Sequence, residues 1–410
     1  MAKKMDKKSP NVPNLRFPGF EGEWKRYKLG DIANVIGGGT PNTSIEEYWN
    51  GEVQWFTPSE IKSAYVDKSE RTITKLGIAK SAAKLLPVGT VLITTRATIG
   101  EVAITNKECC TNQGFQSLVV NDGFNNIFIV NWIKQNKNEL IKRAKGSTFA
   151  EISKSEIEKI SILIPNTDEQ DKIAHFLSLI DQRIETQNKI IEKYESLIKG
   201  LNDNLFCSNN CSVPKLRFFE FKTKPWEKVK LESLGNFLGG GTPSSNNSNY
   251  WKGKIPWVSS SDLEENDICC INISRYITED AINHSATKLC FPPAILIVSR
   301  VGIGKVAFAN MPICTSQDFT NIVDLKCNAV FLAQLLSTEM KKKANEAQGT
   351  SIKGITSAEI RSLSVNIPDL AEQNKIASVF GSFFVKLIIE KNILNSLQKQ
   401  KQYLLKNLFI

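Results

Sequence analysis

The sequence is written twice, and that duplication constrains the fold more than any local signal. Pro13-Asn-Leu-Arg-Phe17 returns as Pro214-Lys-Leu-Arg-Phe218. Gly37-Gly-Gly-Thr-Pro41 returns as Gly239-Gly-Gly-Thr-Pro243, each followed by a Tyr-Trp pair at 48–49 and 250–251. Trp55 matches Trp257, and Arg96-Ala-Thr-Ile-Gly100 matches Arg300-Val-Gly-Ile-Gly304. Cys110-Thr-Asn-Gln-Gly-Phe115 matches Cys314-Thr-Ser-Gln-Asp-Phe319. Glu169-Gln-Asp-Lys-Ile-Ala174 matches Glu372-Gln-Asn-Lys-Ile-Ala377, and Asn204-Leu-Phe206 matches Asn407-Leu-Phe409. The matches keep their order at offsets of 201 to 204, so the chain is two copies of one unit rather than a tandem of unrelated domains.

Each copy reads as a mixed block followed by one long helix. Val53–Phe56, Gly89–Arg96, Glu101–Ile104 and Ser117–Val120 are β-branched or alternating and bounded by Pro, Gly and Asn, as strands are. Ile127–Lys145 predicts a helix, with Phe128 and Trp132 four apart and Leu140 two turns on. The second copy repeats this, with a strand at Ala294–Arg300 and a helix at Val330–Ala344. Strands and helices mixed without strict βαβ alternation predict an α+β class.

Past Ile164-Pro165 the pattern changes. Apolar residues step by fours and threes at Ile173, Leu177, Ile180, Ile184, Ile191, Tyr194, Ile198, Leu201 and Leu205, with Gln187 as the interruption. Past Ile367-Pro368 the steps are Ile376, Phe380, Phe383, Leu387, Leu394, Leu397, Leu404 and Leu408, interrupted by Glu390 and Lys401. A 3–4 alternation sustained over five heptads predicts a coiled-coil seam, and a seam needs a partner. The alternative is a helix packed on its own block. The resulting division is a basic tail at 1–11, a block at 12–166, a helix at 167–207, a linker at 208–213, a block at 214–367 and a helix at 368–410.

With 410 residues the chain has ample surface to bury, and no apolar run approaches the roughly 18–20 residues a membrane span needs. The N-terminal MAKKMDKKSP is basic without a following apolar stretch, so no signal peptide is expected and the cytoplasm is the expected compartment. Lys and Arg number 52 against 42 Asp and Glu, a net +10 that suits a polyanion partner but also an ordinary basic protein. Nine cysteines in a chain of this kind are expected as reduced thiols, and two histidines, His175 and His284, cannot assemble an ordinary zinc site, so no metal is expected. No phosphate-binding loop is present: Gly302-Ile-Gly304-Lys305 lacks the upstream Gly and the hydroxyl. Nor is there a Gly-x-Gly-x-x-Gly in strand–turn–helix context or a triad pattern around His284.

Two like blocks, each followed by an equal helix, can be related by a pseudo-two-fold axis, under which the helices run antiparallel. Symmetric dimers on DNA read palindromes at fixed half-site spacing; one chain with diverged halves would read two unlike half-sites separated by unread bases. This layout resembles the specificity (S) subunit of type I restriction–modification systems. The carriers are the paired Pro-x-Leu-Arg-Phe openings, Gly-Gly-Gly-Thr-Pro loops, Tyr-Trp pairs, Arg-x-x-Ile-Gly turns and Ile-Pro…Glu-Gln-x-Lys-Ile-Ala helix starts, covering the chain from Asn11 onward. The resemblance implies two target recognition domains separated by two long antiparallel coiled-coil helices, acting on double-stranded DNA. It also implies two modification (methyltransferase) subunits and restriction (translocase/endonuclease) subunits as partners, with no membrane. Adenine methylation and ATP-dependent cleavage, and with them S-adenosylmethionine, ATP and Mg, would then belong to those partners, and this chain would be non-catalytic. Phe384 stands where the first copy has Asp181, a departure at a position where an acid is expected. The rival reading is a coiled-coil scaffold that binds proteins without reading DNA.

Candidate DNA contacts follow from chemistry at matched positions. The Gly loops offer backbone N–H groups and the hydroxyls of Thr40 and Thr242 for phosphate, or are tight turns needing positive φ. Arg96 and Arg300 end matched strands, where Arg reads guanine, grips phosphate or forms a structural ion pair. Thr94, Arg96 and Thr98 alternate onto one polar face, while the second copy holds Val298, Arg300 and Gly302 there, as unlike targets require. Lys145 and Thr148, and Lys343, Ser351 and Lys353, follow the block helices, where cations are also ordinary dipole partners. Lys62, Ser260 and Lys305 complete the candidate set.

Overall fold

The computed structural model describes residues 11–144, 151–206, 213–348 and 354–410. The chain divides into two compact units, Met1–Thr186 with Leu394–Ile410, and Gln187–Ile393. Each unit therefore holds one block and a part of both long helices.

In the first unit the strands are β1 (Lys25–Lys28), β2 (Ala33–Gly37), β3 (Trp49–Phe56), β4 (Tyr65–Val66), β5 (Arg71–Ile73), β6 (Val91–Thr94), β7 (Val102–Thr105), β8 (Cys109–Thr111), β9 (Phe115–Val120) and β10 (Ser161–Ile164). The helices are α1 (Leu29–Ile32), α2 (Lys75–Ala79), α3 (Asn126–Gln135), α4 (Lys137–Arg143), α5 (Lys154–Glu158) and the start of α6 (Thr167–Leu205). The strands form a five-stranded sheet ordered β2-β9-β6-β7-β4, a three-stranded sheet β5-β3-β8 and an antiparallel pair β1-β10. β6 is buried along its whole length, which explains why it reads as a continuous apolar run rather than an alternation.

The second unit repeats the plan with β11 (Glu227–Lys230), β12 (Asn236–Gly239), β13 (Ile255–Val258), β14 (Arg275–Ile277), β15 (Leu289–Cys290), β16 (Ala294–Val298), β17 (Val306–Ala309), β18 (Ile313–Thr315), β19 (Phe319–Val323) and β20 (Ser364–Ile367). Its sheets are β12-β19-β16-β17, β14-β13-β18-β15 and β11-β20. Its helices are α7 (Glu279–Asn283), α8 (Ala329–Gln348), α9 (Ser357–Ser362) and most of α10 (Leu370–Leu408). Register is kept between copies: Leu92 faces Ser117 as Leu296 faces Asn321.

Two sequence expectations are corrected. The strands expected to reach Arg96 and Arg300 stop at Thr94 and Val298. The helix expected over 127–145 is broken at Asn136, whose Nδ2 donates to Trp132 O while its backbone leaves the helical region. Asn competes locally for backbone hydrogen bonds and so ends helices. At the matched place the second copy carries Glu339, a helix former, and α8 runs through.

The long helices pair antiparallel within each unit. In the first, Asp181 accepts from Lys401 Nζ, and Ile173 and Leu177 share one core with Leu404 and Leu408. In the second, Gln187 Nε2 donates to Glu390, Tyr194 packs 6.3 Å from Phe383, and Phe206 lies 5.9 Å from Phe380. Numbers rise on α6 as they fall on α10. The seam positions are occupied as the periodicity requires: Ile173, Leu177, Ile191, Ile198, Leu205, Ile376, Phe380, Leu387 and Leu404 are buried. Ile180, Ile184, Phe383 and Leu394 are half-buried. The polar interruptions are also used, since Gln187 meets Glu390 and Lys401 meets Asp181. Where the second copy has Phe384 for Asp181, the position matching Lys401 is Ile198, and both are buried, so an ion pair in one unit is replaced by apolar residues in the other.

The Pro-x-Leu-Arg-Phe openings dock onto the helix starts. Arg16 Nε and Nη2 donate to the two carboxylate oxygens of Glu169 at 2.8 and 2.7 Å, and Arg217 does the same to Glu372 at the same distances. Bidentate geometry with buried carboxylates fixes the entry to each helix.

Candidate nucleic-acid interface

In each unit a set of loops converges at one end of the sheets. Gly39 N donates to Thr111 O, Asn112 N to Phe56 O, Thr95 N to Gly114 O and Ile152 N to Thr95 O. The second unit reproduces the set: Gly241 N to Thr315 O, Ser316 N to Val258 O, Ser299 N to Asp318 O and Ile355 N to Ser299 O. These bonds hold the Gly loop, the turn after β3 or β13, the arginine loop and the segment before α5 or α9 in one rim.

Gly38 and Gly39, and Gly240 and Gly241, serve close approach rather than positive φ. None of Gly37–Gly39 or Gly239–Gly241 has φ in the left-handed region. A Cβ on Gly38 would stand 1.9 Å from Asn112 O, and one on Gly240 1.9 Å from Ser316 O. The Gly39 and Gly241 amides are spent on Thr111 and Thr315, and their carbonyls accept from the Trp55 and Trp257 indoles at 2.9 Å. That indole bond is the reason the Trp pair recurs with the Gly loop. Thr40 Oγ1 donates to Gln113 Oε1 at 2.5 Å, and Thr242 to Gln317 in the same way. Both Gln side chains are exposed, and their amide nitrogens have no hydrogen-bond partner among the described residues.

Thr94, Arg96 and Thr98 do not share a strand face. Thr94 is buried, and its Oγ1 bonds the Thr98 carbonyl and accepts from Glu101 N at 3.0 Å, tying the base of the loop. Ala97 has φ 53°, so the chain leaves strand geometry there and exposes Thr98. Arg96 Nη2 donates to both oxygens of Glu151 at 2.9 and 2.8 Å. The matched Arg300 is exposed and has no ion pair or hydrogen bond among the described residues. Lys305 is a tether: its Nζ donates to the carbonyls of Ser260 and Leu263 at 3.1 and 2.9 Å. Ser260 thus contributes its carbonyl to a fold contact, with its side chain half-buried at the rim. Lys62 is exposed just beyond the turn Pro58–Glu60. Lys343 pairs with Glu346 at 2.7 Å on α8. Lys145, Thr148, Ser351 and Lys353 lie outside the described residues.

The structure adds residues the sequence did not single out. Glu151 sits in a polar stretch with nothing to mark it as the partner of Arg96. Arg71 and Arg275, in contrast, are a matched pair that the repeat reveals: Arg71 stacks 3.6 Å over Trp49, and Arg275 lies 4.6 Å over Trp257 while pairing with Asp262. Glu264, Asp267 and Cys270 offer ligand atoms within 4.8 Å of one another, but Lys391 Nζ already lies 3.2 Å from Glu264 and 3.0 Å from Asp267. A lysine ammonium fills the place a cation would take. Burial pulls that ammonium's pKa down, and the Asp267 and Glu264 carboxylates more than reverse it, so it stays charged.

Each copy thus holds an α+β block, a stretch of antiparallel helix pair and a rim that presents an exposed Gln amide, Gln113 or Gln317. The model of the type I restriction modification DNA specificity domain matches residues 21–196 and again 223–399. The chain belongs to that family. It carries the domain twice, in register with its internal repeat. It is 29% identical to the MjaIX type I restriction enzyme specificity subunit of Methanocaldococcus jannaschii, over 94% of this chain and 92% of that one. It is 28% identical to the EcoR124I/EcoR124II specificity subunit of Escherichia coli over 45% of this chain and 50% of that one. The fold is that of the type I restriction–modification S subunit from M. genitalium, at TM-score 0.62 and 16% identity, covering 97% of this chain and 99% of the other. A role in DNA sequence recognition is what this family membership supports, and the protein-only scaffold reading is not favoured. Among the described residues, no helix is long and apolar enough to cross a membrane.

Proposed function

We propose that this chain is the DNA-reading subunit of a type I restriction–modification complex, in which each unit reads one half of a bipartite, asymmetric site. The observation that carries the reading is a rim built on one backbone plan but dressed differently in the two copies. The tethers repeat bond for bond, while Gly114 becomes Asp318, Thr98 becomes Gly302 and Glu151 becomes Gly354. Shared scaffold with unlike exposed groups is what reading two unlike half-sites needs.

In this reading the chain is not itself catalytic. It directs adenine methylation or ATP-dependent cleavage by two modification subunits and by restriction subunits, which hold the S-adenosylmethionine, ATP and Mg, all in the cytoplasm. Docking is supported by apolar residues the seam leaves over: Val385, Ile389 and Ile393, spaced by four on α10, are 58%, 50% and 39% exposed. The test is methylation mapping with the partner modification subunits present. Replacing residues 12–165 by the corresponding block of another such chain should change one half-site and leave the other. A change in both half-sites, or methylation that does not depend on this chain, would overturn the reading.

A further inference from the structure

The two units differ in charge pairing at one matched point of the rim. In the first, the Arg96 guanidinium is held by both oxygens of Glu151, so its positive charge is answered from within the fold. In the second, the position of Glu151 is taken by Gly354, fixed by the equivalent bonds Ile152 N to Thr95 O and Ile355 N to Ser299 O. A Cβ built on Gly354 would lie 3.6 Å from Arg300 Cγ, so the missing carboxylate would have stood against this same side chain. Arg300 is exposed without a partner among the described residues, and the adjacent stretch 349–353, Gly-Thr-Ser-Ile-Lys, contains no acid that could supply one. Beside it Val301 is 72% exposed, an apolar group set next to a free cation at the loop tip.

We propose that Arg300 is a direct DNA contact of the second unit, whereas Arg96 is a positioning residue that Glu151 keeps for its own loop. The proposal rests on the DNA-reading function above and adds that the two halves load this position unequally. A free guanidinium donates bidentately to guanine O6 and N7 or to a phosphate, and Val301 offers contact to a thymine methyl. A guanidinium already paired to a carboxylate must first give up that pair, and its net charge toward a polyanion is cancelled.

The experiment uses the full chain assembled with its modification subunits and a duplex carrying the methylated site, with affinity measured across a salt series. Arg300→Gln should weaken binding about tenfold or more, and Arg96→Gln clearly less. Gly354→Glu, which restores the carboxylate to the second unit, should reproduce much of the Arg300→Gln loss, while Gly354→Ala should not. Arg300→Lys separates the acceptors: affinity kept points to phosphate, affinity lost to a guanine edge, and either supports the contact. Binding by Arg300→Gln within about twofold of wild type, or equal losses for the two arginine variants, would overturn the proposal. A wild-type complex that prefers no DNA sequence would instead overturn the function on which it rests.

Discussion

Replacing Arg217 by Met isolates what the Pro-x-Leu-Arg-Phe opening contributes. The Arg217 and Glu372 side chains are 5% and 1% exposed, and the pair is joined by bonds of 2.8 and 2.7 Å. Met keeps most of the buried stem but removes the charge, leaving the Glu372 carboxylate in the interior with the Trp226 indole, at 3.2 Å, as a remaining donor. Removing one partner of a buried pair costs about 3–5 kcal/mol, because the other charge is left desolvated and uncompensated. Glu372 also sits in the first turn of α10, where the helix dipole favours an anion, so the lower end, about 3 kcal/mol, is expected. In a unit of roughly 200 residues that lowers the melting temperature by about 6–12 °C. Calorimetry on the full chain should show the transition of the second unit moving by that amount while the first unit's stays, since two units need not melt together. Glu372→Gln added to Arg217→Met should recover part of the loss by removing the stranded charge. A loss below about 1 kcal/mol, or a double variant no better than Arg217→Met, would refute the account of a buried carboxylate dependent on its arginine.

Two further expectations concern the rim and the cores. Gln113→Ala and Gln317→Ala should each weaken binding by about 1 kcal/mol on cognate and scrambled duplexes alike, because a donor presented identically by two diverged copies cannot distinguish sequences; a loss confined to the cognate duplex would refute it. Burial pushes the Cys110 and Cys314 thiols up to about 12 and Cys109 and Cys290 to about 11, so all four stay neutral at pH 8 and thiolate grows only as pH rises toward those values. Native protein should therefore leave these four unalkylated at pH 8 and label them fully once unfolded, and rapid native labelling at any of them would contradict the burial.

What was legible in the sequence was whatever repeats or has a period. The 201–204 offset gave the duplication. Because helix geometry turns spacing directly into contact, the 3–4 stepping gave the apolar seam and the places where polar residues interrupt it, though not what those residues pair with. Contacts between distant segments were not legible. Nothing local marks Glu151 as the partner of Arg96, 55 residues away, or Lys305 as a tether to the carbonyls of Ser260 and Leu263. The alternation read at Thr94, Arg96 and Thr98 failed for a related reason. Period two is a property of strands, and here the strand ends at Thr94, after which Ala97 turns the chain out of strand geometry.

The pattern of loss between the copies separates scaffold from reading surface more sharply than burial does. The indole-to-glycine bonds, the Thr–Gln pairs and the arginine-to-helix pairs are held on both sides, so each is something a unit needs wherever it sits. Where the copies part inside the helix pair, they part in step. Asp181 and Lys401 give way to Phe384 and Ile198, so no buried charge is stranded. At the rim Glu151 becomes Gly354. Gly114 becomes Asp318, but that carboxylate accepts from Ser316 Oγ at 3.2 Å, so Arg300 keeps its charge without a partner among the described residues. An interior cannot tolerate such an unmatched change, because an unpaired buried charge costs several kcal/mol. A surface can, and an unmatched cation there gains an energetic role once a polyanion supplies the missing partner.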